Sequence, residues 1–219
     1  MANDLLGRCS RVDVARETER VRRYYDWFAP RFDRVISFWE RTLFADGRQW
    51  ACSQAEGDVL EIAVGTGRNL PYYPSGVRLT GVEISPAMLD IARQRAEELG
   101  RDADLRVGDA QALDFADESF YTVVETLSLC AIPDERRAVA EAWRVLRPGG
   151  RLLTLDHVGS PMLLVHAVQR LLDPLAVAFE GDHLLREPLD AFVAKGFEIE
   201  RLERSKWGIV ERVVARKPA

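Results

Sequence analysis

The chain has 219 residues, 47% of them hydrophobic and 30% charged, which suits one α/β domain able to bury a sizeable core. A net charge of −5 and a pI near 5.4 argue against a nucleic-acid partner, and the absence of any run of about 18 apolar residues argues against a membrane span. The start is too polar for a secretory signal, so a cytoplasmic location is expected; Cys9, Cys52 and Cys130 are too scattered for a disulfide framework or zinc knuckle, and His157, His166 and His183 lack metal spacing, so no metal is expected.

Residues 1 to about 10 are expected to fray. A charged helical pattern follows over 11–28, and Pro30 suits the first turn of a second helix over 30–52. The stretch 24–50 holds nine of the nineteen aromatics. They either glue these helices to a sheet, line a pocket, or make peripheral contact with a membrane surface. From 58 onward strand-like and helical runs alternate, with strands at 58–64, 78–84, 104–108, 120–127 and 151–158. Helices are expected at 67–72, 86–99 and 134–147. Ser85-Pro86 reads as an N-cap and first-turn proline, and Gly100 as a stop. Such alternation implies a doubly wound parallel sheet. An apolar helical stretch at 161–180, interrupted by Pro174, and a short helix at 187–195 come next. Two strands joined at Trp207-Gly208 end the chain and add an antiparallel edge.

In such a sheet ligands bind beyond the carboxyl ends of the strands. The first strand, VLEIAVGTGRN, runs into Gly65 and Gly67, where the backbone can approach a ligand closely. The third glycine of a dinucleotide fingerprint is replaced by Leu70. Glu61, four residues before Gly65, suits a cationic group better than a pyrophosphate. Glu83 ends the second strand, where an acid can hold ribose hydroxyls, and Asp109 ends the third, where it can accept from an adenine amino group. Adenine, ribose and a cationic amino-acid end together describe S-adenosyl-L-methionine.

The segments LEIAVGTGRNL, GVEISPAML, VGDAQALDF and EAWRVLRPGGRLL, in this order and spacing, resemble the successive motifs of class I S-adenosylmethionine-dependent methyltransferases. The resemblance covers about 58–158. It implies a Rossmann-like seven-stranded sheet of order 3-2-1-4-5-7-6 with the last strand antiparallel. It places Gly65 and Gly67 under the methionine part of the cofactor, Glu83 at the ribose, and Asp109 with Ala110 at the adenine. Ile84, Met88 and Thr126 are assigned to the same site. Tyr24 and Tyr25 either close over the cofactor carboxylate or pack. YYDWFAPRFDRV is similar to the early segment of ubiquinone/menaquinone C-methyltransferases. TLSLCAIPD, LDHV and LLDPLAVAFEGDHLLRE are similar to segments of thiol and phospholipid methyltransferases. Glu125 departs from the apolar residues usual late in the fourth strand.

Methyl transfer from a sulfonium needs mainly orientation and desolvation, with a base only when the acceptor must lose a proton. His157, just past the fifth strand, is the first candidate base, and His183, in a loop that could fold over the acceptor, the second. Each has a plain structural alternative. One domain is expected over 1–219: a helical lid at 11–52, a cofactor core at 58–158, and acceptor-side helices with the terminal hairpin at 159–219. The expected activity is methyl transfer to a small, largely apolar acceptor. Alternatives are a quinone ring carbon or a phospholipid head group at a membrane surface. A non-catalytic cofactor- or partner-binding domain is the alternative from another class, and the intact set of glycines and acids argues against it.

Overall fold

A computed structural model of the chain describes the side chains of residues 14–179 and 181–219. The fraying expected near residues 1–10, and Cys9, lie outside the described residues. Seven strands form one sheet in the order β3-β2-β1-β4-β5-β7-β6. These are β1 (Asp58–Ile62), β2 (Arg78–Glu83), β3 (Ala103–Val107), β4 (Phe120–Thr126), β5 (Leu146–His157), β6 (Glu198–Ser205) and β7 (Val210–Arg216). The first five are parallel, and β7 runs antiparallel to both β5 and β6. The sheet and its strand order match the expectation.

The helices differ in extent. One helix, α1 (Ala2–Trp39), passes straight through Pro30 instead of restarting there. An interior proline costs a helix about 3 kcal/mol, and here Asp26 and Asp33 bind the body of the domain on either side of it. A π-helical turn, Glu40–Phe44, leads to α2 (Gly47–Cys52). The helix expected at 67–72 shrinks to a 3-10 turn, Leu70–Tyr72, since Pro74 holds Tyr73 extended. α3 (Pro86–Leu99) starts as expected: the Ser85 hydroxyl accepts from the Met88 N–H, and Gly100 ends it with φ 60°. α4 (Glu135–Val145) is capped by Asp134. β5 begins five residues earlier than expected, at Leu146, and pairs with Phe120 through a bulge. α5 (Leu163–Glu180) is likewise continuous through Pro174, and α6 (Pro188–Lys195) follows.

Strand alternation splits the core into two layers. Leu60, Ile62 and Val123 face α4 and α6 with Val139, Ala142 and Phe192. Val59, Val124 and Leu153 face the other side with Leu89, Ala92 and Cys52. Phe192 is fully buried and meets Phe197 edge-on at 6.1 Å. Phe192→Ala is expected to destabilise the domain by about 3–5 kcal/mol, read as a lower denaturant midpoint with cofactor affinity unchanged.

Candidate active site

β1 ends at Ile62 and the chain turns at once. Ala63, Gly65 and Gly67 all take left-handed backbone, with φ 53°, 57° and 77°. For Ala63 this is strain of about 1–3 kcal/mol. The two glycines do different jobs. A Cβ on Gly65 would sit at ordinary contact, 3.7 Å from Met88 Cε, and Gly65 faces the cleft. A Cβ on Gly67 would fall 2.8 Å from Leu70 Cδ1 and 3.1 Å from the Ala92 backbone, so Gly67 lets α3 close onto the turn.

Glu83 ends β2 beside this turn. Its Oε2 accepts from the Gly65 N–H and its Oε1 from the Ser85 N–H, both at 2.9 Å. Burial raises its carboxyl above the usual range, while these donors pull it back. Beyond β3, Asp109 Oδ1 accepts from the Gln111 N–H at 2.8 Å and the Gln111 amide at 3.0 Å. That amide also reaches Thr18 Oγ1 on α1, and Gln111 Oε1 accepts from the Asp134 N–H at the start of α4. Gln111 thus ties the roof of the cleft to its far wall, a role not apparent from the sequence.

The roof is α1. Thr18, Val21, Tyr25 and Phe32 line the cleft, spaced three, four and seven apart on one helical face. Asp26 accepts from the Ser85 hydroxyl at 2.7 Å and Asp33 from the Thr66 hydroxyl at 2.6 Å. Arg95 and Arg68 also pair with Asp33. Of the expected cofactor residues, Gly65, Glu83, Ile84, Met88, Asp109 and Ala110 line the cleft. The turn after β4 supplies Leu127, Ala131, Ile132 and Pro133, and Leu127 is a second non-glycine residue at positive φ, 57°.

The other expected site residues do not line the cleft. Tyr24 lies one residue round the helix from Tyr25, and its ring meets Tyr25, Trp27 and Phe28. Glu61 shares the Val59 face of β1, on the other side from Leu60 and Ile62. Its carboxylate accepts from the Asn69 amide at 2.9 Å and the Tyr73 hydroxyl at 2.8 Å, and burial pushes it up to about 7. Glu61 is not among the residues that line the cleft. Thr126 joins the same buried network, accepting from Asn69 and Arg48. None of the described residues of α5 lines the cleft, against the expectation that the 161–180 stretch shapes the pocket.

His157 and His183 are also outside it. His157 belongs to a buried charge cluster behind the β4 turn. Its Nε2 lies 3.0 and 3.2 Å from the two carboxylate oxygens of Asp182. Burial would lower its pKa, but Asp182, Asp156 and Glu125 override this and push it up to about 9. These carboxylates favour the charged form of the ring, and His157 is not among the residues that line the cleft. Glu125 is wholly buried; its Oε1 accepts from the Ser128 hydroxyl and the N–H groups of Ser128 and Leu129. Burial and Asp156 push Glu125 up to about 8. Asp156 is raised to about 6, chiefly by burial. Glu125 Oε2, Asp156 Oδ2 and His157 Nδ1 have no hydrogen-bond partner among the described residues. Cys130, His157 and Asp182 bring potential ligand atoms within 4.8 Å of one another. The Cys130 thiol is held protonated, its pKa raised by burial and by the carboxylates around it. His183 is half-buried and donates its backbone N–H to the Cys130 carbonyl; burial lowers its pKa.

A doubly wound sheet with its cleft at the carboxyl ends of β1, β2 and β3 defines a nucleotide-cofactor-binding domain. The profile of the methyltransferase domain family matches residues 60–154. A demethylmenaquinone methyltransferase of Thermus thermophilus is 33% identical over 186 residues, 76% of this chain and 83% of that protein. A phosphatidylethanolamine N-methyltransferase of Cereibacter sphaeroides is 41% identical over 118 residues, 53% of this chain and 58% of that protein. A human thiol S-methyltransferase, TMT1A, is 29% identical over 193 residues, 83% of this chain and 78% of that protein. An S-adenosylmethionine-dependent methyltransferase of Thermotoga maritima shares the fold with a TM-score of 0.69 at 23% identity, covering 90% of this chain and 99% of that one. The chain belongs to the S-adenosylmethionine-dependent methyltransferases, and its cofactor is S-adenosyl-L-methionine.

The buried cluster makes stability depend on pH. A group whose pKa is higher folded than unfolded binds its proton more tightly in the fold, so its stabilisation is lost as pH rises through the folded value. For Glu125 that window runs from its ordinary value of 4.5 to about 8, and for His157 from 6.5 to about 9. Both act in the same direction. The urea midpoint should fall between pH 6.5 and pH 9, and Glu125→Gln, which cannot titrate, should fall less steeply. Parallel slopes for the two proteins would remove Glu125 from this account.

Proposed function

We infer that the chain transfers a methyl group from S-adenosyl-L-methionine to a small, largely apolar acceptor held under α1. The observation that carries this reading is the lining of the cleft beyond Glu83 and Asp109. Val21, Phe32, Leu127, Ala131, Ile132 and Pro133 offer apolar surface there, which suits an apolar body rather than a charged one. A quinone ring carbon or a phospholipid head group is the second reading. It draws on the relatives named for demethylmenaquinone and phosphatidylethanolamine.

In this reading Glu83 holds the ribose hydroxyls. Each oxygen spends one acceptor site on the backbone and keeps another for a ligand. Asp109 and Ala110 flank the adenine, and Gly65 admits the methionine part. Bound, the cofactor supplies an already activated methyl. Residues 11–52 serve as a lid, with α1 excluding water from the cleft. Acceleration then rests on orientation and desolvation. An acceptor that must lose a proton does so before it binds, or to solvent, because His157 does not line the cleft.

Glu83→Ala should weaken both S-adenosylmethionine and its demethylated product by about tenfold to a hundredfold, the worth of one charge-assisted hydrogen bond or two. Titration calorimetry reads this, and unchanged affinity would remove Glu83 from the site. The acceptor class is tested with methyl-labelled cofactor against an alkyl thiol, a demethylated quinol, phosphatidylethanolamine and a set of polar amines. Label should pass to an apolar acceptor. Transfer confined to the polar amines would overturn the reading.

A further inference from the structure

α5 turns its polar side inward. Gln169 is the one buried residue among its described positions. Its Oε1 accepts from the Ser160 N–H at 2.8 Å, and its Nε2 donates to the carbonyls of Val158 and Leu184. Asp173, one turn further on, accepts from the Leu184 N–H at 2.8 Å. These bonds fix which way the helix faces. The outward side carries Leu163, Leu164, Val168, Leu171, Leu175 and Phe179, with Leu163 87% and Leu171 75% exposed. A helix facing water ordinarily shows the reverse arrangement, and an apolar patch of this extent marks a contact surface.

Aromatic residues stand at both ends of this face. At its start, the Ser160 hydroxyl donates to the Trp207 carbonyl at 2.6 Å, which holds the exposed Trp207 close to the beginning of α5. At its finish, Arg20 of α1 donates to the carbonyls of Val177 and Ala178. Seven residues on, along the same side of α1, stands Trp27, 65% exposed, with Arg31 stacked over it at 5.7 Å. The unneutralised charge here is positive. Arg31, Arg34 and Arg170 have no ion pair among the described residues, whereas Glu17, Glu19, Asp26, Asp33 and Glu40 are each held by an arginine.

We propose that the outward face of α5, flanked by Trp207 and Trp27, docks flat on an anionic lipid bilayer. Apolar side chains between tryptophans, with arginines free to meet phosphates, match the chemistry of that interface. No helix among the described residues is long and apolar enough to cross a membrane, so α5 lies along the surface. A second copy of the chain fits less well, since a self-contact would set these arginines against each other, while Asp173 on the same helix is turned inward to the Leu184 N–H. Docking also brings the cleft to the lipid boundary: a Cβ on Gly181, just past α5, would fall 2.9 Å from Val21, which lines the cleft. The proposal goes beyond the acceptor reading and does not depend on turnover.

The test is co-sedimentation of the full chain with phosphatidylcholine vesicles, with and without phosphatidylglycerol. Wild type should bind the anionic vesicles with a blue shift in tryptophan emission. The double variant Leu164→Glu/Leu171→Glu should lose at least tenfold in partitioning, with its melting temperature and cofactor affinity unchanged, since both residues are exposed. Arg31→Glu/Arg34→Glu should lose the preference for phosphatidylglycerol. Absence of vesicle binding by wild type overturns the proposal, as does binding that survives the double leucine substitution. A wild-type dimer that the leucine variant splits to monomers, without vesicle binding, assigns the face to a second copy instead.

Discussion

Two carboxylates seven residues apart hold the cleft in being. Asp26 grips the N-terminus of α3 through the Ser85 hydroxyl and Asp33 grips the glycine turn through Thr66. Between them α1 is pinned across the carboxyl edge of the sheet, so Thr18, Val21, Tyr25 and Phe32 face inward. The same pins explain why α1 survives Pro30: tertiary bonds on both sides outweigh one missing backbone bond. Ser85 and Thr66 themselves sit where the strands of a doubly wound sheet end, so the roof depends on the sheet register and the cleft depends on the roof.

Behind the cleft the balance of charge is different. Glu125, Asp156 and Asp182 are three carboxylates sharing one imidazole, with little water to help. Such a group is stable only if protons or close partners offset the desolvation. The Ser128 hydroxyl and the backbone N–H groups of Ser128 and Leu129 do so for one oxygen of Glu125, and His157 does so for Asp182. Because Ser128 belongs to the turn that walls the cleft, the cluster helps to fix the shape of that wall. His157 and Asp182 pair there, away from the residues that line the cleft.

Much of the fold was legible because its signals are local. Ser85-Pro86, Gly100 and the alternation of apolar strands with amphipathic helices set the elements, and the order of the glycine and acid motifs set the sheet. What was missed depends on long-range bonds. Nothing near Pro30 announces that Asp26 and Asp33 will carry the helix through. The spacing of Thr18, Val21, Tyr25 and Phe32 was readable as one helical face, but not which ligand or layer it would meet. Glu61 was placed at the ligand because it sits four residues before Gly65. Strand alternation alone would have put it beside Val59, on the far face from Leu60 and Ile62. The position of His157 at a strand end suggests a base. The charge of its ring is governed by Asp182, twenty-five residues away, by Glu125 on the neighbouring strand β4, and by Asp156 beside it on β5.

The two left-handed non-glycine residues facing the cleft, Ala63 and Leu127, have an evolutionary consequence. Each stores backbone strain that a glycine would relieve, so both positions offer easy gains to any selection for heat resistance. Leu127 would give up a side chain that walls the cleft, and Ala63 would trade a stiff turn for a loose one. A lineage adapting to high temperature would meet a conflict at these two sites between endurance and shape. Retention of side chains there under such pressure would record that the form of the cleft was worth more than the stability it cost.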